Sequence, residues 1–111
     1  MHRRLAAQAV CTWLLLTSGC GSSEEEIQAE FDRLVARSNA CQSADECVIV
    51  SPGCPLGCFV AVNRDHQSKV AQEANELIAD YERGGTSCAY DCATLDEVSC
   101  TEGRCVATIQ H

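Results

Sequence analysis

Ten of the 111 residues are cysteine, and eight of them lie between positions 41 and 105 with the successive spacings Cx5C, Cx3C, Cx3C and Cx4C. Cysteine at about 9% of a short chain approaches the level that marks a disulfide scaffold. None of the four pairs has the two-residue gap of a zinc knuckle or of a thioredoxin-type redox site. Zinc also needs accessible thiolates, which export to an oxidising compartment removes, so these cysteines read as structural and no metal or cofactor is expected. The set Cys41, Cys47, Cys54, Cys58, Cys88, Cys92, Cys100 and Cys105 is even, and four bridges close with nothing left over. Eight cysteines allow about a hundred distinct pairings, among which spacing does not choose. The two Cx3C pairs, 54/58 and 88/92, are superficially similar to twin-Cx3C helical hairpins, but Pro55 and Gly57 disfavour a helix there and that fold is not inferred.

Export is legible at the other end. His2, Arg3 and Arg4 precede an apolar run from Leu5 to Leu16, broken by Gln8 and Thr12 and followed by small residues. This is the layout of a signal peptide over residues 1–19. The run falls short of the roughly 20 apolar residues that a membrane-spanning helix requires. The sequence Leu16-Thr17-Ser18-Gly19-Cys20 resembles the lipobox of bacterial lipoproteins, with Gly19 directly before the cysteine and Thr17 where the family favours Leu. The resemblance implies cleavage before Cys20, acylation of Cys20, and attachment to the membrane through an N-terminal lipid anchor. More than one acyl chain makes such an anchor stable. Gly21 in place of Asp is similar to the outer-membrane sorting default, favoured over inner-membrane retention. Thr17 and Gly19 also suit ordinary signal peptidase, which would release a secreted form and leave Cys20 as an odd thiol; cysteine parity argues for lipidation.

Removal of residues 1–19 leaves six basic and sixteen acidic side chains, a formal charge of −10. An acidic surface repels phosphate backbones, and nucleic-acid binding is excluded. The remaining aromatics, Phe31, Phe59, Tyr81 and Tyr90, offer no basic stripe or stacking platform for single strands. They also make a small core. A domain of about 90 residues buries only a modest share of its surface, so cross-links must supply much of the stability.

The pattern predicts a lipidated cysteine and tether over 20–23 and one disulfide-rich α+β domain over 24–111, with two helices and a small, mainly antiparallel sheet. Ser23-Glu24-Glu25-Glu26 has the form of an N-cap and capping box. Ile27, Phe31, Leu34 and Val35 follow at helical spacing, with Arg33 and Arg37 near the end and Asn39 as the stop. Val48-Ile49-Val50 and Phe59-Val60-Ala61-Val62 read as short strands. Between them, two prolines and two glycines in Ser51–Cys58 force a stapled loop. Asn63 caps a second helix over 64–83, where Val70, Ala71, Ala74, Leu77, Ile78 and Tyr81 form a stripe closed by Gly84-Gly85. Residues 86–94 carry no assignable pattern. Residues 95–99 and 104–110 form a hairpin turning at Gly103, with Val106, Thr108 and Gln110 on one face and Ala107 and Ile109 on the other.

The candidate binding surface is the 52–58 loop, with Pro52, Pro55, Leu56 and Gly57. A rigid loop loses little entropy on binding and could display Leu56, which would make the chain a small disulfide-stabilised inhibitor of an extracellular protease or other hydrolase. The simpler alternative folds Leu56 onto the core beneath the loop. No pattern places a base beside a nucleophile: His66 stands near a helix start, His111 is the last residue, and Ser51 and Ser99 lack a nucleophile-elbow context. Asp45-Glu46 and Asp96-Glu97 lack the alternation of a calcium loop. The expected protein is therefore not an enzyme. It acts by binding an extracytoplasmic partner, or by structural presence, at the bacterial envelope.

Overall fold

The computed structural model describes residues 22–110; the signal segment, Cys20 and His111 lie outside them. It has an α+β fold with two helices and two small antiparallel sheets. Helix α1 spans Glu24–Ala36. The Ser23 hydroxyl accepts from the Glu26 N–H at 3.2 Å, and the Glu26 carboxylate accepts from the Ser23 N–H at 3.1 Å. Both halves of the capping box are thus formed, with three carboxylates in the first turn at the positive end of the helix dipole.

Helix α1 ends earlier than Asn39 because tertiary pairing claims the backbone that follows. The Ser38 carbonyl accepts from the Asn63 N–H at 2.8 Å and the Asn39 carbonyl from the Cys105 N–H at 2.8 Å, while the Cys41 N–H donates to the Gly103 carbonyl at 2.9 Å. Segment 38–41 is therefore a seam joining the first helix to two other parts of the chain.

Strands β1, Cys47–Val50, and β2, Val60–Asn63, pair antiparallel with Val48 opposite Val62 and Val50 opposite Val60. Side chains alternate along a strand. Val48, Val50, Val60 and Val62 belong to the core formed with the helices, whereas Cys47 and Ala61 lie on the other face. The second helical region divides in two. Asn63 caps a short 3-10 turn, Arg64–His66, by accepting from the Asp65 N–H at 2.9 Å, and helix α2 then runs Gln67–Glu82. Its end is closed by N–H donation from Gly84 to Tyr81 and from Gly85 to Glu82, with Gly85 at φ +87°.

The core is small. Ile27, Phe31 and Leu34 from α1 meet Val50, Leu56, Val62, Val70 and Ala74, with Leu77, Ile78 and Tyr81 packed at its margin. Full burial of a side chain the size of Leu or Phe contributes about 1.5–3 kcal/mol. So few such residues leave the far side of the β1–β2 sheet to be held by other means. Strands β3, Leu95–Thr101, and β4, Arg104–Ile109, form a hairpin of their own instead of extending β1–β2. Its two-residue turn has Glu102 at φ +53° and Gly103 at φ +79°, the left-handed pair that matches the twist of a tight hairpin. The register shifts between Leu95 and Glu97. Cys105 and Ala107 face inward as an alternating pair, but Ile109, expected with Ala107, is 42% exposed; it lies beyond the register shift, at the end of the strand where little packs against it.

Candidate functional site: two disulfide pairs, a stapled loop and an acidic groove

The eight cysteines close four bridges that fall into two neighbouring pairs. Cys41–Cys100 and Cys47–Cys105 tie the hairpin to the seam and to β1, across separations of 59 and 58 residues. Cys54–Cys88 and Cys58–Cys92 tie segment 86–94 to the 52–58 loop, each across 34 residues. Both Cx3C pairs are thus bonded in parallel to each other, and neither closes on itself. Every bridge joins parts of the chain that the core alone leaves loosely connected. The Cys41, Cys47 and Cys105 sulfurs lie within 4.8 Å of one another, but all three are in disulfides and offer a metal no thiolate.

Leu56 is not displayed. The loop reverses through Gly53 at φ +96° and Gly57 at φ +135°, conformations that exclude other residues at little cost only to glycine. The Gly53 N–H donates to the Gly57 carbonyl at 2.9 Å, and the Leu56 N–H to the Gly53 carbonyl at 2.8 Å. This tight ring turns Leu56 into the core, where it is 5% exposed. Pro52 and Pro55 are buried and Gly57 is half-buried. The outer side of the loop is covered by the segment bonded to it, whose Tyr90 hydroxyl donates to the Pro55 carbonyl at 2.9 Å. The apolar tip that an inhibitor would display, Leu56 with Pro52 and Pro55, is therefore buried. The physical reason is the one that makes the chain cysteine-rich: with so few large apolar residues, a leucine contributes more inside than outside.

The acid pair Asp45-Glu46 closes a turn. The Glu46 carboxylate accepts from the Gln42 N–H at 2.6 Å, and Asp45 accepts from the Ser43 hydroxyl. That hydroxyl bond, helped by a backbone N–H and the Arg64 guanidinium, holds the Asp45 carboxyl below the ordinary aspartate range. Arg64 also donates to the Asp45 carbonyl. Asp96 and Glu97 are exposed at the register shift of β3, His66 is exposed at the end of the 3-10 turn, and Ser99 meets Thr101 at 3.2 Å.

Two features escape sequence reasoning. One is Arg104, whose guanidinium donates to the Ala36 carbonyl at 2.9 Å and to Asn39 Oδ1 at 2.7 Å. It places a cation at the negative end of α1 from a residue nearly seventy positions away. The other is a groove between the helices, made of two adjoining depressions of about 370 and 450 Å³ that share Glu30, Leu77 and Asp80. Glu26, Glu73 and Glu76 add to its acidic rim. Part of this charge is compensated: Arg33 pairs with Glu30 at 2.6 Å, Arg83 pairs with Asp80 at 2.8 Å, and the Ser22 hydroxyl donates to Asp80 at 2.9 Å. Among the described residues no buried side-chain nitrogen or oxygen lacks a hydrogen-bond partner. The i, i+4 spacing of Glu26 with Glu30 and of Glu76 with Asp80 was the available signal, but it places each pair on a helix face without saying that the two faces meet. Comparison of the chain with protein-family models, with curated proteins and with solved structures gives no match.

Proposed function

We propose that this chain is a lipid-anchored, extracytoplasmic cysteine-rich module with a binding or structural role at the bacterial cell envelope, and that it performs no catalysis. The observation that carries the reading is the pairing of all eight domain cysteines in four long-range bridges. Such bridges persist in oxidising compartments outside the cytoplasm. Among the described residues no helix is long and apolar enough to cross a membrane. Membrane association is assigned to acylated Cys20 on its resemblance to the lipoprotein cleavage site. The absence of a sequence pattern joining a base to a nucleophile supports a non-catalytic role. The inhibitor alternative loses its anchor with the burial of Leu56.

Intact-mass measurement of the protein isolated from membranes tests both parts together. The expected result is a chain that begins at Cys20 and carries acyl mass, takes up no alkylating reagent before reduction, and takes up eight equivalents on the domain cysteines after it. Free thiols in the native protein overturn the extracytoplasmic scaffold. A mature chain without acyl mass overturns the anchor.

A further inference from the structure

The sulfurs of Cys41, Cys47, Cys100 and Cys105 are arranged so that a second pairing is within reach. Cys41 Sγ lies within 4.8 Å of both sulfurs of the neighbouring Cys47–Cys105 bond. Cys100 and Cys105 are directly opposite each other in the β3–β4 register. The Cys105 N–H points away from β3, since it donates to the Asn39 carbonyl. This makes Cys100/Cys105 a non-hydrogen-bonded cross-strand pair, the type with Cα atoms about 4.5 Å apart. That spacing lies inside the range a disulfide bridges. No comparable alternative is evident from register at the other two bridges, where Cys88 and Cys92 lie outside any strand.

We propose that these four cysteines form a thiol-triggered disulfide switch, in which Cys41–Cys100 and Cys47–Cys105 exchange to Cys41–Cys47 and Cys100–Cys105. The inference rests on the disulfide scaffold assigned above. The trigger is an external monothiol. Its thiolate attacks Cys100, forming a mixed disulfide there and releasing the Cys41 thiolate. Cys41 attacks Cys47, forming Cys41–Cys47 and releasing the Cys105 thiolate. Cys105 attacks Cys100, forming Cys100–Cys105 and returning the external thiolate. Two bonds break between cysteines and two form, there is no net oxidation or proton change, and the thiol is catalytic. Exchange replaces two ties that span most of the domain by two local loops. The hairpin then keeps only non-covalent ties to the rest of the domain, among them the hydrogen bonds of the seam and of Arg104.

Peptide mapping decides this. The exported protein is incubated with substoichiometric 2-mercaptoethanol, free thiols are alkylated at low pH, and the chain is cleaved after glutamate and arginine. Cuts after Glu46, Glu97, Glu102 and Arg104 place Cys41, Cys100 and Cys105 on separate peptides, and Cys47 on one with Cys54 and Cys58. Before incubation, the Cys41 peptide is expected with the Cys100 peptide and the Cys105 peptide with that of Cys47. Afterwards, the Cys41 peptide joins that of Cys47 and the Cys105 peptide joins that of Cys100, while the links to Cys88 and Cys92 are unchanged. The Cys41 and Cys105 amides then exchange with deuterium faster. Unchanged links at thiol levels that open Cys41–Cys100, or scrambling that includes Cys88 and Cys92 at the same rate, overturns the switch. A different pairing before incubation overturns the scaffold instead, so the two failures are distinct. In C41S/C100S the Cys47–Cys105 link is expected to survive the same treatment; if that variant fails to fold, the mapping of the natural chain alone decides.

Discussion

Leu56 shows how one residue's environment settles its role. In the sequence it follows two prolines and stands between two glycines and two cysteines, a context that suits either a displayed anchor or a core plug. The ring of hydrogen bonds between Gly53 and Gly57 turns it inward, and Ile27, Phe31 and Val62 belong to the same cluster. Truncating a buried leucine removes its transfer free energy and leaves a cavity. We expect Leu56→Ala to lower the unfolding free energy by about 2–5 kcal/mol in a urea titration of the oxidised protein. A leucine serving only as an exposed anchor leaves that titration unchanged. Arg104 is the opposite case. Its charge is obvious in the sequence, but the acceptors it reaches, the Ala36 carbonyl and Asn39 Oδ1, are brought to it only by the fold.

Among the elements, α1 was the most fully written in the sequence. The Ser23–Glu26 box, the stripe of Ile27, Phe31 and Leu34, and the acid-first charge order are local facts, and local hydrogen bonds realise them. Loss of a serine cap costs about 1 kcal/mol. Ser23→Ala is expected to destabilise the domain by that amount in a chemical denaturation experiment, with the helix fraying first in amide exchange at Glu26 and Ile27. The hairpin turn was equally legible, because Glu-Gly can adopt the paired left-handed conformation that a two-residue turn demands. Element ends were less so. Asn39 was a reasonable stop for α1, but the helix ends at Ala36 because Ser38 and Asn39 accept hydrogen bonds from β2 and β4. Likewise, the expected continuous helix from residue 64 begins as a 3-10 turn, capped by Asn63 through the Asp65 N–H. Strand identity was visible in the β-branched runs, but sheet membership was not. Nothing in Leu95–Thr101 says that it pairs only with β4.

For the whole molecule, the bridges supplement a small core. Four disulfides at a typical 2–4 kcal/mol each contribute on the order of 10 kcal/mol, though not additively, and this is comparable to the entire net stability of a small domain. Reduction with excess dithiothreitol is expected to abolish the far-UV helical signal at ambient temperature, with recovery on reoxidation. A helical signal that persists after complete reduction shows that the core suffices by itself. The acidic groove belongs to this scale as well. Glu30 and Asp80 each have an arginine partner three residues away on their own helix, and such exposed pairs contribute little to stability.

The amino-acid sequence by itself determined the α+β class, the helical stripes, the turn at Gly103 and the reliance on cross-links. Each of these follows from residue chemistry acting over a few neighbours, or from the count of large apolar side chains available to fill a core. Only the tertiary structure decided which cysteines bond, that Leu56 faces inward, that two sheets form instead of one, and that four sulfurs gather beside the hairpin. Those outcomes depend on which distant surfaces meet. Spacing along the chain cannot report that meeting, because any two segments joined by tens of flexible residues are free to approach one another until packing selects a single arrangement.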